Sequence, residues 1–139
     1  MDKMLELLIQ AFNMEYEDIF YYLREASFYK TKIKGAEKIV STFEEFGRME
    51  LRHADILAMK IIALGGKAKL TYKPIESIPN MKDVLKKHIE SESKMYRIYA
   101  ELIEICTDRD FKLVLKGIRE DEKDHLEKVT YLYKRTKFR

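Results

Sequence analysis

Apolar residues recur about every 3.6 positions in four long stretches of this chain, and this periodicity constrains its fold more than any other feature. The stretches cover residues 2–30, 36–64, 81–106 and 110–134, and glycine and proline lie mostly between them. The pattern is typical of amphipathic helices, which must bury their apolar faces against one another. Apart from a short β-prone segment at 70–72, no strand pattern competes with it. The sequence therefore predicts an all-α fold with four helices.

The lengths of the three connections predict how these helices are joined. The first and third connections are short, whereas the second runs from Gly65 to Asn80 and contains Pro74 and Pro79. Short connections join antiparallel neighbours, and one of this length allows a crossover. We therefore expect a four-helix bundle of two antiparallel hairpins with a long crossover between helices 2 and 3. Because the chain has 139 residues, 46% of them hydrophobic, residues 1–139 should form a single domain.

The composition argues against several classes of partner and site. The chain carries 27 basic and 24 acidic residues, so its net charge is only +3. The two signs are interleaved, which argues against nucleic acid as a partner. Cys106 is the only cysteine, so neither an intramolecular disulfide nor a cysteine-rich metal site can form. No stretch approaches the roughly 18 uninterrupted apolar residues of a membrane span. We expect a cytoplasmic protein without a membrane partner.

Two Glu-x-x-His pairs interrupt the apolar faces of the second and fourth helices. They are Glu50 with His53 and Glu122 with His125. Residues three apart lie on the same side of a helix, so the two side chains of a pair can bind one ion. Burying a carboxylate or an imidazole is costly unless something compensates it, and a divalent metal does so. The alternative is that both histidines are ordinary core residues. Two such pairs on apolar faces make a metal site the better interpretation.

The first and third helices each carry a carboxylate on the apolar face as well. On the first helix Glu15 follows Phe12 by three positions, and we choose it over Glu17. On the third helix Glu92 continues the apolar face, whereas Glu90 points away from it. The predicted metal ligands are therefore Glu15, Glu50, His53, Glu92, Glu122 and His125. Their four carboxylates would balance the charge of two divalent cations.

Three other side chains near these positions have two interpretations each. His88 lies one turn before Glu92 and is either an additional ligand or a buried histidine satisfied by a neighbour. Tyr22 and Tyr99 are candidates for a redox role beside a metal pair, although amphipathic packing is the ordinary explanation for tyrosines. The participation of His88 and Glu17 stays open. No catalytic acid or base distinct from the predicted ligands is apparent.

These motifs resemble those of the ferritin-like di-iron carboxylate superfamily, in particular bacterioferritins and rubrerythrins, over essentially the whole chain. Glu50–Asp55 resembles the second-helix motif of bacterioferritin. Ala11–Glu15, Ile89–Glu92 and Glu120–His125 resemble the first-, third- and fourth-helix motifs of rubrerythrin. The resemblance implies a ferritin-like four-helix bundle that binds two iron ions, with manganese or a mixed pair as alternatives.

The chain also departs from both families. The third helix of rubrerythrin carries Glu-x-x-Glu, but here the second of these positions is Met95, which leaves six ligands. The haem-binding methionine of bacterioferritin corresponds to Leu51, so we expect no haem. The chain ends with its fourth helix and has no rubredoxin domain, so we expect electrons to come from an external donor protein.

The function that this resemblance implies is that of a di-iron carboxylate oxidoreductase that reacts with peroxide or dioxygen. It would act as a rubrerythrin-like peroxide reductase or as a ferroxidase-like enzyme. Two alternatives remain: an iron-binding, iron-handling protein without turnover, and a metal-free helical interaction module. Because helical bundles of this size commonly pair, we also expect a homodimer.

Overall fold

The computed structural model of the protein describes residues 2–32, 37–71 and 80–135. It contains four α-helices: α1 Lys3–Lys32, α2 Glu37–Ala63, α3 Met81–Ile105 and α4 Arg109–Arg135. Every helix end lies within two residues of its predicted position, and no strand occurs in the described ranges, so the prediction of four helices is confirmed there. Half of the predicted crossover, residues 72–79 with Pro74 and Pro79, lies outside the described residues. None of the described helices has the length and apolar character needed to cross a bilayer.

The chain divides into two compact units, Met1–Thr71 and Tyr72–Arg139. The first contains the packed pair α1 and α2, and the second contains the packed pair α3 and α4. Each unit therefore corresponds to one of the two predicted helical hairpins. That the whole chain forms a single domain stays a prediction.

An aromatic cluster holds α1 against α2 in the first unit. The ring of Tyr22 contacts Phe43 and Phe46, with ring centroids 5.3 Å and 5.4 Å away, and all three side chains are fully buried. Nearby, a Cβ atom at Gly47 would lie only 2.7 Å from Leu23 Cδ2. Gly47 thus allows Leu23 to lie directly on the backbone of α2, and the two helices approach closely at this point.

The glycine pair Gly65 and Gly66 ends α2. Gly65 has φ +83°, a left-handed conformation that a residue with a side chain adopts at a cost. The amide of Gly66 donates to the carbonyl of Ile61 and that of Gly65 donates to Ile62, both at 2.9 Å. These two bonds form a Schellman motif, which satisfies carbonyls that the helix end would otherwise leave unpaired.

Replacing glycine by alanine is expected to have opposite effects at two positions. Gly65→Ala should lower the free energy of unfolding by about 1 kcal/mol, because alanine is strained at positive φ. Gly117→Ala should raise it by about 0.5–1 kcal/mol, because Gly117 is exposed inside α4 and no atom lies within 4 Å of the added methyl group. Urea unfolding of both variants measures the difference. Equal effects would contradict the assigned helix end.

The segment after the glycine pair is held against α1 by the side chain of Asn13. The Asn13 amide nitrogen donates to the carbonyl of Lys69 at 3.1 Å, and the amide of Thr71 donates to Asn13 Oδ1 at 2.6 Å. The same nitrogen also donates to the carbonyl of Ile9, one turn earlier in α1, at 3.0 Å. A single side chain thus pairs with two backbone positions as a neighbouring strand would, and it orders the start of the connection.

Capping side chains define the helix ends of the second unit. Asn80 Oδ1 accepts from the amide of Asp83 at 2.9 Å and begins α3. Asp108 Oδ1 accepts from the amides of Asp110 and Phe111 at 3.1 Å and 3.2 Å and begins α4. Each bond satisfies an amide that the first turn of a helix cannot pair internally. Asp108 therefore caps the N-terminus of α4.

The buried faces agree with the sequence for α3 and α4 and differ for α1. The apolar period of the sequence predicts twelve residues on the buried faces of α3 and α4, and all twelve are buried: Leu85, His88, Glu92, Met95, Tyr99, Leu102, Phe111, Leu115, Ile118, Glu122, His125 and Val129. On α1 the apolar period of the sequence predicts one face with Leu5, Leu8, Phe12, Ile19 and Leu23. This prediction was wrong at Leu23, which is 43% exposed, whereas Tyr22, Asp18 and Glu25 are buried. The physical reason is that polar residues occupy part of the buried face of α1, so its apolar residues alone did not mark that face.

Candidate metal centre

Three of the predicted ligands meet between α1 and α2. Glu15, Glu50 and His53 are all buried, and each offers a ligand atom within 4.8 Å of the others. His53 Nδ1 lies 3.5 Å from Glu15 Oε1. We call these three residues the N-terminal cluster. It contains two carboxylates and one imidazole.

The other three predicted ligands meet between α3 and α4. Glu92, Glu122 and His125 are fully buried, and their ligand atoms also lie within 4.8 Å of one another. His125 Nδ1 is 3.9 Å from Glu92 Oε2 and 3.8 Å from Glu122 Oε2. We call these residues the C-terminal cluster. Its composition repeats that of the N-terminal cluster, because one helix supplies a Glu and the other a Glu-x-x-His pair.

Hairpin geometry explains why these residues meet. In an antiparallel pair, residues equally distant from the hinge lie at the same height along the helices. Glu15 and His53 are both 19 residues from position 34, and Glu92 and Glu122 are both 15 residues from position 107. Both centres fall in the short connections, at 33–36 and 106–108. The short hinges therefore bring each single Glu level with the Glu-x-x-His pair of the neighbouring helix.

The donor atoms of both clusters suit a bound transition metal. In the three His–Glu pairs above, the imidazole Nδ1 lies 3.5–3.9 Å from the carboxylate oxygen, which is longer than a strong direct hydrogen bond. Two atoms that bind one ion at about 2.1 Å, with angles of about 90–110°, are about 3.0–3.5 Å apart. The observed separations are close to that range. The nitrogen and oxygen donors are those that iron, manganese and zinc accept, and two carboxylates neutralise one divalent ion.

The structure also shows how deeply the residues are buried whose role at the metal site the sequence left open. Glu17 is half-buried, in contrast to the fully buried Glu15. His88 is 1% exposed, so it is a buried histidine on the same face of α3 as Glu92. Tyr22 and Tyr99 are fully buried, and Tyr22 lies two helical turns after Glu15 on α1.

Two buried carboxylates on α1 were not identified from the sequence. Asp18 and Glu25 are 4% and 7% exposed. With Glu15 and Tyr22 they occupy positions separated by three, four and three residues, which places all four on one face of the helix. The spacing could have identified Asp18 as buried, since it places Asp18 on the same face of α1 as the predicted ligand Glu15. The apolar pattern concealed it because only one of the four residues is strongly apolar.

Comparison with known proteins provides a family for these features. Residues 6–133 match the family model described as Rubrerythrin. No curated protein matches the chain. Together with the four helices, the match confirms the predicted ferritin-like four-helix-bundle fold class and the di-iron carboxylate superfamily. The two buried Glu and His clusters are compatible with the di-metal site of such a protein.

Proposed function

The chain belongs to the rubrerythrin family, and on that premise we propose that it is a di-iron carboxylate oxidoreductase reacting with hydrogen peroxide or dioxygen. The observation that carries the proposal is the pair of buried clusters, each made of two glutamates and one histidine. Carboxylates buried without cations would repel each other or take up protons, so a purely structural role explains the clusters poorly.

We propose that the two clusters together hold two ions. Glu15 and His53 would complete one ion, Glu92 and His125 would complete the other, and Glu50 and Glu122 would be shared. Four carboxylates balance two divalent cations, and the two neutral imidazoles add donors without charge. We assign iron as the metal from the family, with manganese or a mixed pair as the alternative loading.

A bound ferrous pair would supply the two electrons that, with two protons, reduce one hydrogen peroxide molecule to two water molecules. The protein's own residues fix the donor positions and exclude bulk water. Both histidines and all four glutamates are buried, so the apolar residues around them keep the reacting centre dry. After each turnover the centre needs two electrons, and we assign them to an external donor protein.

Anaerobic loading with Fe(II) followed by hydrogen peroxide tests this function. We expect the near-ultraviolet absorbance of ferric ions to appear, with one peroxide molecule consumed for every two ferrous ions oxidised. A reductant should remove this absorbance, and a second addition of peroxide should restore it. Metal uptake without repeated peroxide consumption would favour an iron-handling protein. No uptake would favour a metal-free interaction module.

A matched pair of variants on α3 serves as the control for this experiment. Glu92→Gln removes a proposed ligand and should lower peroxide consumption by about 100-fold or more. Glu90→Gln changes an exposed carboxylate two residues away and should leave it unchanged. Equal losses in both variants would show that the effect is not specific to the cluster.

A further inference from the structure

Five basic residues of α4 lie along one side of the helix. They follow one another at intervals of three, four, three and four residues, which is the spacing of a single helix face. At 100° per residue they lie within an arc of about 80° and extend over about 21 Å along the helix. We call this set the basic stripe: Arg109, Lys112, Lys116, Arg119 and Lys123. The winding of the helix thus brings together basic residues that the sequence intersperses with acidic ones.

The positive charge of the basic stripe is not neutralised by ion pairs. Three of its side chains are exposed and two are half-buried. Within the part of the chain that the structure describes, no carboxylate forms an ion pair with any of the five. Asp124, which follows Lys123, pairs instead with Lys128 at 3.0 Å, and Glu120 borders the stripe without pairing to it. The stripe therefore presents positive charge that is available to a partner.

Arg119 is held in place by a contact with α3. Its guanidinium carbon lies 5.8 Å from the centre of the Tyr96 ring, which is a cation–π contact. Arg119 Nε is buried and has no hydrogen-bond partner among the described residues, so part of the donor capacity of the guanidinium is unused. A guanidinium that is already fixed loses little freedom when it binds a carboxylate. Arg119 thus suits the recognition of an acidic group.

We propose that the basic stripe is the surface on which an acidic electron-donor protein docks, an inference that rests on the proposed function. Two proposed ligands, Glu122 and His125, lie on the same helix as the stripe. Lys123 directly follows Glu122, and Arg119 precedes it by one turn. A protein docked on the stripe would therefore lie about one helix diameter, roughly 10–12 Å, from the C-terminal cluster. Electrons from that protein would have a short path to the proposed metal pair.

Charge complementarity selects an acidic protein as the partner. Five positive charges within about 21 Å attract a negative surface and repel a positive one. Such attraction mainly raises the rate of association, and salt screens it beyond a Debye length of about 10 Å at 0.1 M. A donor that must release its partner after each electron transfer benefits from fast association without tight binding. The docking should therefore be fast and strongly dependent on salt.

Isothermal titration calorimetry of the metal-free full chain with flavodoxin, an acidic flavin protein, tests the docking surface. The native chain should bind flavodoxin, and its dissociation constant should rise about 10-fold or more between about 20 and about 200 mM NaCl. Lys116→Glu combined with Lys123→Glu should raise the dissociation constant by about 100-fold, because both substitutions set negative charge against the acidic partner.

A matched variant separates the stripe from net charge. Arg48→Glu combined with Lys67→Glu changes the net charge by the same amount, at two exposed positions of the first unit. It should leave the dissociation constant within about 3-fold of the native value. Equal weakening in both double variants, or no binding of flavodoxin by the native chain, would overturn the proposal. A native chain that binds duplex DNA and not flavodoxin would make the stripe a nucleic-acid surface and would overturn it as well.

Re-reduction of the iron-loaded, peroxide-oxidised protein tests whether the docked protein acts as the donor. Two reduced flavodoxin molecules, giving one electron each, should return the two ferric ions to the ferrous state. The Lys116 and Lys123 double variant should slow this step by about 10-fold or more. Hexaammineruthenium(II), a small dication, should reduce that variant at least as fast as the native chain. Equal rates with flavodoxin in the native chain and the variant would overturn the proposal. If neither reductant acts on the native chain, the proposed function fails, whereas the binding experiment without metal still decides whether the stripe docks an acidic protein.

Discussion

Replacing Glu50 and Glu122 together by glutamine is expected to abolish metal binding and leave the metal-free protein folded. Both side chains are fully buried, and both are proposed to be shared between the two ions. Glutamine keeps the shape of the side chain but removes the charge that balances the metal. Elemental analysis after Fe(II) loading should therefore fall from two ions per chain to almost none.

The melting temperature of the Glu50 and Glu122 double variant should compare differently with that of the native chain in the presence and in the absence of metal. In the native chain, two ions at 100 times their dissociation constants would add about 2.7 kcal/mol each. At about 2–4 °C per kcal/mol, that raises the melting temperature by roughly 10–20 °C. The double variant should lose this rise. Without metal it should melt no lower than the native chain, because two buried charges have been removed.

Two exposed glutamates on the same helices provide the matched control. Glu45→Gln with Glu120→Gln removes the same total charge from α2 and α4, but at the surface. That variant should keep both ions and the full rise in melting temperature. If the Glu50 and Glu122 variant retained two ions with an unchanged rise, the proposed ligand set would be wrong.

The sequence predicts the buried helix faces better for α3 and α4 than for α1. On α3 and α4 the predicted buried faces are correct throughout, because apolar residues and the candidate ligands alternate with a regular helical period. On α1 the apolar pattern is interrupted by Asp18 and Glu25, which are buried. Hydrophobic periodicity treats such residues as exposed. It therefore misplaced the buried face by one residue, from Tyr22 to Leu23.

The sequence predicts only in part that the proposed ligands of each hairpin lie close together. Equal distances from the hinge place Glu15 level with His53 and Glu92 level with Glu122, and those distances can be counted along the chain. What cannot be counted is the rotation of each helix about its own axis. At Leu23 that rotation depends on the missing side chain of Gly47, against which the leucine packs. Packing between helices thus decides which neighbour of a predicted core residue is buried.

Met95→Glu is expected to lower the reduction potential of the iron-loaded protein by on the order of 100 mV. The basis is a Coulomb energy of about 3 kcal/mol between charges roughly 5 Å apart at an effective dielectric constant of about 20. Met95 is fully buried one turn after Glu92, on the same face of α3. Four carboxylates balance two ferrous ions, but they leave two positive charges on a ferric pair. A fifth carboxylate at this position would favour the oxidised pair. In the proposed site the native methionine would thus keep a reduced pair comparatively stable.

Two neutral variants and one measurement without metal separate charge from size. Met95→Gln has the length of the glutamate variant without its charge, and Met95→Leu tests packing alone, so both should stay within about 20 mV of the native potential. Without metal, Met95→Glu should be destabilised by about 1–4 kcal/mol, since a further carboxyl group is buried. Iron loading should recover that loss. A potential for Met95→Glu equal to that of Met95→Gln would place Met95 outside the electrostatic reach of the metal pair. The departure from the rubrerythrin Glu-x-x-Glu pattern would then affect packing and not redox balance.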